Sequence, residues 1–269
     1  MLAIKNNLMA ANAARYLGQS YDALGTSVER LSSGLRINSA ADDAAGMAVR
    51  ELMRADIAVL QQGARNAQDG VSMLQTMEGA LQVIDNLLIR MQQLAEQAST
   101  GSYTSTQRDI MNNEFTEMAS EIDRIATATN FNGIGMLDNS AVVKIHFGDS
   151  SDQICVAGSN MTASGLSINS LSITGQSSAI SALGSITSAI ETKDTARAKF
   201  GYTINRLEST GEVLGIQAEN LLAAESRISD VDVATEMATL TRNQVLAQAG
   251  TSMLAQANSI PQMALTLLR

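Results

Sequence analysis

The residues able to do chemistry are few. His146 is the only histidine and Cys155 the only cysteine in 269 residues. A zinc site needs several convergent ligands, and nucleophilic catalysis needs a base held by an orienting partner, so neither residue can build a centre from its neighbours. His146 reads as a plain strand residue. Cys155 alternates with Ile154 and Val156, which turns it to the opposite side; it reads as a buried, inert thiol, and alone it makes no internal disulfide. Asp149 and Asp152 share a tight loop but lack the ligand series and the bidentate Glu of a calcium loop, and turn chemistry accounts for them. Ser and Thr within 150–188 are candidate acceptors of O-linked sugars, although loops favour the same residue types anyway. These types assemble no catalytic residue, metal ligand or cofactor site, and no enzyme is expected.

Composition narrows the remaining classes. The net charge of -9 comes without a Lys/Arg cluster, which argues against nucleic acid, since phosphate binding rests on such clusters. A hydrophobic content of 45% can bury a core, and it is unusual in kind: no Trp, four Phe, four Tyr and 14 Met. That choice suits thin helices packed side by side. No stretch approaches the ~20 apolar residues of a bilayer span, so no membrane insertion is expected. The start, Leu2-Ala3-Ile4-Lys5-Asn6-Asn7, has no basic-then-apolar signal-peptide pattern, and by itself it implies a cytosolic address.

The elements that would position any site are mostly helical. Ala3, Ala10, Ala14, Leu17, Tyr21, Leu24, Val28, Leu31 and Leu35 form a coiled-coil seam. Ser39 with Asp42 predicts a capping box opening a second, long helix. Its seam runs Leu60, Ala67, Leu74, Leu81, Leu88 and Ala95, with a companion row Ile57, Ala64, Val71 that shifts by one residue to Met77, Ile84, Met91 and Ala98. A third helix carries Met111, Phe115, Met118, Ile122 and Ile125 on one face. Asn132-Gly133 marks a turn, and Val143, Ile145 and Phe147 alternate as a strand that turns near Gly148–Asp152 into a partner around Ile154 and Val156. Gly158 to Ser188 reads as short strands and loops leading into a helix. Phe200, Ile204, Leu207, Leu214, Ala218, Leu221 and Ile228 form a further seam with Gly211 in a close-packed slot. Ser229 with Asp232 predicts a second box before a last helix seamed by Leu246, Gly250, Met253, Ala257, Ile260, Ala264 and Leu267. Pro261 should bend that helix locally or start a new turn.

The fold class is therefore mainly α: a long antiparallel helical bundle or coiled coil with a small β-hairpin, its N- and C-terminal helices paired. Chain ends are usually polar and frayed, yet roughly 35 residues at each end carry apolar seams here. Paired within one molecule, two slender helices would still expose flanks such as Leu8, Leu265 and Leu268, so both termini need a burial partner.

Two long motifs then become informative. Arg30-Leu31-Ser32-Ser33-Gly34-Leu35-Arg36-Ile37-Asn38-Ser39-Ala40-Ala41-Asp42-Asp43-Ala44-Ala45-Gly46-Met47 resembles the N-terminal signature of bacterial flagellins. Ala249 to Asn258, Pro261 and the closing Leu267-Leu268-Arg269 resemble the flagellin C-terminus, as Asn130 to Gly133 does the stretch after the third helix. Together these matches leave out only about Ser140 to Ser188, a segment much shorter than the outer domains of many flagellins. The resemblance is to a short, core-only form.

The resemblance implies a structural subunit that polymerises into the flagellar filament for swimming motility, secreted to the extracellular flagellum. It implies an inner domain of 1–40 plus 229–269 and an outer core domain of 41–228 with a β/loop element about 130–180. The self-assembly residues would be Leu17, Leu24, Leu31, Leu246, Met253, Ile260 and Leu267. Its implied partners are copies of itself, a type III export apparatus, a secretion chaperone on the C-terminal helix, and the hook-associated and cap proteins. Export of an unfolded chain would explain the missing signal peptide. Arg90, Leu94 and Glu114 match positions through which family members engage a host Toll-like receptor; lateral packing of Leu94 and solvated or interfacial charges are the equal alternative. A hook–filament junction protein shares the N-terminal grammar, and a coiled-coil signalling bundle shares the heptads but would lack the β-like middle.

Overall fold

The computed structural model describes residues 6–148 and 151–267, with the side chains of 261, 262 and 264–267 outside the description. Asp149 and Ser150 lie outside it, as do Ala3, Leu268 and Arg269 and the side chains of Ala264, Leu265 and Leu267. In chain order the elements are α1 (Leu8–Ser33), α2 (Ala44–Ser99), α3 (Ser105–Ala128), β1 (Asn130–Phe131), β2 (Ile134–Gly135), β3 (Val142–His146), β4 (Gln153–Ala157), α4 (Gln176–Ser229) and α5 (Val233–Leu267). The expected class is observed, mainly α with small antiparallel strand pairs. Two compact units share α2 and α4: one holds Ala58–Ala218, the other the residues up to Ile57 and from Glu219 onward.

In the Ala58–Ala218 unit the one-residue shift of the α2 seam is real. Leu74, Leu81, Leu88 and Ala95, and beside them Met77, Ile84, Met91 and Ala98, are all fully buried. Val71 and Met77 are six residues apart where the rest of the row steps by seven. An α-helix drifts against a strict heptad, and this correction keeps the seam on its partners. Phe115 and Ile122 of α3, and Ala179, Ala182, Ile186, Phe200 and Leu207 of α4, close the same core. Each large side chain so buried contributes about 1.5–3 kcal/mol.

The breaks between helices have local causes. Thr104 caps α3, its hydroxyl accepting from the Gln107 amide while Gln107 Oε1 accepts from the Thr104 amide at 2.9 Å. Arg108 then reaches back to the Ala98 and Thr100 carbonyls (2.8 and 3.0 Å), which α2 leaves unpaired as it ends. Asn132 and Gly133, at φ 52° and 79°, make the turn between β1 and β2. β3 and β4 pair antiparallel with Lys144 opposite Cys155, so Ile145, Ile154 and Val156 face the core together. Glycines seat this hairpin on α2: a β-carbon on Gly63 would meet the Phe147 carbonyl oxygen, and one on Gly70 the Ile145 side chain.

Several expectations need correction. Residues 158–175 hold no strand; they run as a loop whose Met161, Ala163, Leu166, Ile168 and Ile173 are buried. Side chains of α3 supply its backbone partners, with Asp123 accepting from the Ala163 amide (2.6 Å) and Asn112 from the Ile173 amide (2.9 Å). A loop satisfied this way needs no ladder. Cys155 is exposed, not buried, because the alternation that buries Ile154 and Val156 turns it outward.

Both predicted capping boxes are also wrong in detail, in the same way. Asp43, not Ser39, caps α2, accepting from the Gly46 amide (2.9 Å), while Asp42 closes the preceding loop onto the Asn38 and Ser39 amides. Asp232, not Ser229, caps α5 through the Ala234 and Thr235 amides. Ser229 is buried with its hydroxyl unpartnered. At both starts an aspartate carboxylate, the stronger acceptor for backbone N–H groups, caps in place of the serine hydroxyl: Asp232 within the second motif and Asp43 one residue past the first. α5 continues as helix through Pro261.

Candidate assembly surface on the terminal helices

The N- and C-terminal helices pair antiparallel, as expected. Asn7 caps α1, accepting from the Ala10 amide (3.1 Å), and its Nδ2 donates to the Ala257 carbonyl of α5 (2.7 Å). Further along, Gly250 lies against Leu17, and Arg30 faces Glu236 at 3.9 Å. At the far end Gly34, the left-handed C-cap of α1 at φ 73°, accepts from the Val231 amide, and the Arg36 amide donates to the Ser229 carbonyl (2.6 Å). Leu35 and Asp230 form an antiparallel bridge between the two connections. Beside it Arg50 is buried and donates to the Ile37 carbonyl (2.7 Å).

The seam is smaller-grained than the apolar pattern implies. On α1 the residues turned inward include Ala10, Ala13, Leu17, Ser20, Leu24, Ser27 and Leu31; on α5 they include Glu236, Leu240, Asn243, Ala247, Gly250, Leu254 and Ala257. Leu17, Leu24 and Leu31 lie on the line between the two helices, and with them stand Ala13, Ser20 and Ser27, not Ala14, Tyr21 and Val28. Small residues let the two helices approach; Tyr21 and Val28 on this line would hold them apart. Tyr21 and Val28 instead face outward, about half exposed, as does Ala14.

α5 departs from the expected seam in the same direction. Gly250 and Ala257 lie on it, but Leu246 and Met253 are 49% and 64% exposed, and Ile260 is half-buried. Leu8, Met9, Tyr16 and Val245 are exposed as well. The pair thus alternates leucines with small and polar residues internally and leaves further large apolar residues uncovered. In water such residues favour association.

The other candidate residues fall in the Ala58–Ala218 unit. Arg90 of α2 and Glu114 of α3 are joined, with Nε and Nη2 of Arg90 donating to one carboxylate oxygen at 3.0 and 2.8 Å. Both are about half exposed, whereas Leu94 is only 2% exposed and packs inward. His146 is an exposed strand residue whose carbonyl accepts from Asn66 Nδ2 (2.9 Å). Among the described residues no group of three or more His, Cys, Asp or Glu could hold a metal ion, and no helix is long and apolar enough to cross a membrane. Of Ser and Thr in 150–188, Ser151, Ser164, Ser167, Ser170 and Thr174 are exposed in the turn and loop, and Ser177, Ser178, Ser181, Thr187 and Ser188 along α4. Sequence periodicity had no means of finding the outward Tyr21–Val28 row, because it cannot tell which of two adjacent apolar rows meets the partner.

A helical chain whose two ends zip together around small residues, with large apolar rows left open, is built as a subunit of a structural polymer. Residues 4–142 match the bacterial flagellin N-terminal helical region and residues 183–268 the bacterial flagellin C-terminal helical region. The chain belongs to the flagellin family. It is 42% identical to a flagellin of Halalkalibacterium halodurans over 270 residues, covering 99% of each chain. It is 40% identical to the flagellar filament 33 kDa core protein of Treponema phagedenis, again over 99% of each. Among solved structures, the crystal structure of Bacillus cereus flagellin shares 33% identity and a TM-score of 0.51, covering 60% of this chain and 94% of that one. Matches at both ends, with filament proteins aligned along the whole chain, leave the hook–filament junction reading with less support.

Proposed function

We propose that this chain polymerises through its paired terminal helices into the flagellar filament, a structural subunit working in the extracellular flagellum. The observation that carries the reading is the division of labour on α1 and α5. Leu17, Leu24 and Leu31 serve the pair within the chain, and the exposed Leu246 and Met253 form the row offered to neighbouring copies, with Ile260 and Leu267 next in the heptad spacing. A filament requires contacts between unlike surfaces, so that addition never closes into a ring. Obligate contacts of this kind bury more than about 2,000 Å² of mainly apolar surface, which suits these rows better than the acidic remainder of the chain. Residues 1–40 with 229–269 would form the inner part of such a filament and 41–228 the outer part.

Electron microscopy of purified protein after dissociation and reassembly tests this directly. Fibres are expected from the full chain. A chain ending before Leu246 should stay helical and monomeric; fibres from it would overturn the reading.

The same reading brings further partners. An unfolded chain passing through a type III export apparatus would keep α5 accessible to a chaperone until it folds at the tip, beneath a cap and beyond hook-associated proteins. Recognition by a host Toll-like receptor would use Arg90 and Glu114, with Leu94 supporting the pair from within. An Arg90→Ala, Glu114→Ala chain should lose activity in a receptor-reporter assay while melting like the parent; full activity would discard the receptor reading.

A further inference from the structure

Asn132-Gly133 is the only Asn-Gly step in the chain. Both residues are exposed, and both stand at positive φ, 52° and 79°, between the paired Phe131 and Ile134. A two-residue hairpin loop with positive φ at both centres is a type I′ turn. The Gly133 amide donates to Oδ1 of Asn130 at 3.2 Å.

An asparagine followed by glycine is the step most open to spontaneous deamidation, because no β-carbon shields the next amide nitrogen. In that reaction Gly133 N gives its proton to base and attacks Asn132 Cγ; ammonia leaves and a five-membered succinimide closes. One water then opens the ring at either carbonyl. The product is aspartate, or isoaspartate with the main chain rerouted through the former side-chain methylene. Closure requires Asn132 ψ to swing deep into the negative range, whereas the first centre of a type I′ turn is held near about +30°. To swing, the residue must break the Phe131–Ile134 pairing and the bond to Asn130.

We propose that Asn132 is a deamidation and isomerisation site that the β1–β2 hairpin holds closed, so that it converts in the unfolded chain and is protected once the subunit has folded. The two products differ in consequence. Asp-Gly suits a type I′ turn as well as Asn-Gly does, so aspartate leaves the hairpin intact. Isoaspartate lengthens the main chain inside a two-residue loop and cannot keep Phe131 opposite Ile134.

The full chain is incubated in mildly alkaline buffer, folded in one arm and in concentrated urea in the other. The peptide spanning residue 132 is then followed by mass and by isoaspartate detection. Conversion should centre on Asn132 in urea and run about tenfold slower or more in the folded chain, the factor that breaking the pairing and the Asn130 bond supplies. Equal rates in the two arms, or another asparagine converting first in urea, would overturn the proposal. Asn132→Asp should refold to the parent melting temperature and isoaspartate-bearing chains should not; parental melting by the latter would also count against it. None of these readouts depends on filament formation, so they stand or fall separately from the polymer reading.

Discussion

Gly63 of α2 touches the carbonyl oxygen of Phe147 across a gap that admits no side chain: a β-carbon at position 63 would stand 2.1 Å from that oxygen. Because the obstacle is backbone, it cannot rotate away. At Gly70, one heptad on, the obstacle is the Cδ1 tip of Ile145 at 2.4 Å, which can. Gly63→Ala should therefore destabilise the chain by about 1–3 kcal/mol or more, and Gly70→Ala by less. Gly79→Ala, with nothing within 4 Å, should stabilise by about 0.5–1 kcal/mol. Urea unfolding gives all three, and an order other than this would mean the hairpin is not seated by Gly63.

The outward row of α5 makes a separate prediction. Leu246→Gln with Met253→Gln changes exposed side chains, so helicity and melting of the monomer should hold. If each is buried between copies, the loss of about 1.5–3 kcal/mol per residue raises the concentration needed for assembly well over tenfold. Sedimentation across a concentration series checks it. Unchanged assembly would move the contact to another face.

Lys193 is buried between Asp85 (2.5 Å) and Asp194 (2.7 Å). Burial works against its charge, but the hydrogen bonds to Asp194 and Asp85 outweigh it and hold the pKa above that of an ordinary lysine. The stability linked to this shift is complete below the unfolded pKa of about 10.4 and is lost as pH rises through the folded value. Lys193→Met should remove that alkaline loss. At neutral pH it should cost about 1–3 kcal/mol, less than for a sealed ion pair because water reaches Asp194 and part of Asp85. Melting temperature against pH distinguishes these effects.

Acid acts on the α5 cap and on the loop before α2. Bonds from Thr235 lead in lowering the Asp232 pKa, and those from Ser39 in lowering that of Asp42. Their contribution is present above the unfolded carboxylate pKa of about 3.9 and is lost as pH falls through the folded values. Asp232→Asn, which still accepts hydrogen bonds but does not titrate, should flatten the acid loss of helix signal at the start of α5. Amide exchange of Ala234 and Thr235 against pH measures it, and a slope equal to the parent's would exclude the cap as its source.

Periodicity made much of the fold legible. The α2 register was readable down to its single shift, because Met77, Ile84, Met91 and Ala98 face a core filled on several sides and are all buried, with Leu60 and Val71 half-buried against it. The α1–α5 pair was readable only as a pair. With one partner per helix, two adjacent apolar rows compete, and the choice of Ser20 and Ser27 over Tyr21 and Val28 follows from how near the backbones come, which spacing does not encode. The Ser-x-x-Asp motifs placed the helix starts about one turn early and concealed which oxygen was the acceptor. The 158–175 loop was misread because its partners, Asn112 and Asp123, lie far away in sequence. Arg90 and Glu114 were matched by resemblance alone, and their bond needs α2 and α3 side by side before it exists.

The Ala, Ser and Gly line between α1 and α5 has a mechanical consequence. Leucines alternate with these small residues, and Leu17 is seated against Gly250, so sliding one helix a turn along the other would set that leucine against Ala247 or Leu254. The pair therefore resists slipping, and its register is set by Asn7 against Ala257 at one end and Leu35 against Asp230 at the other.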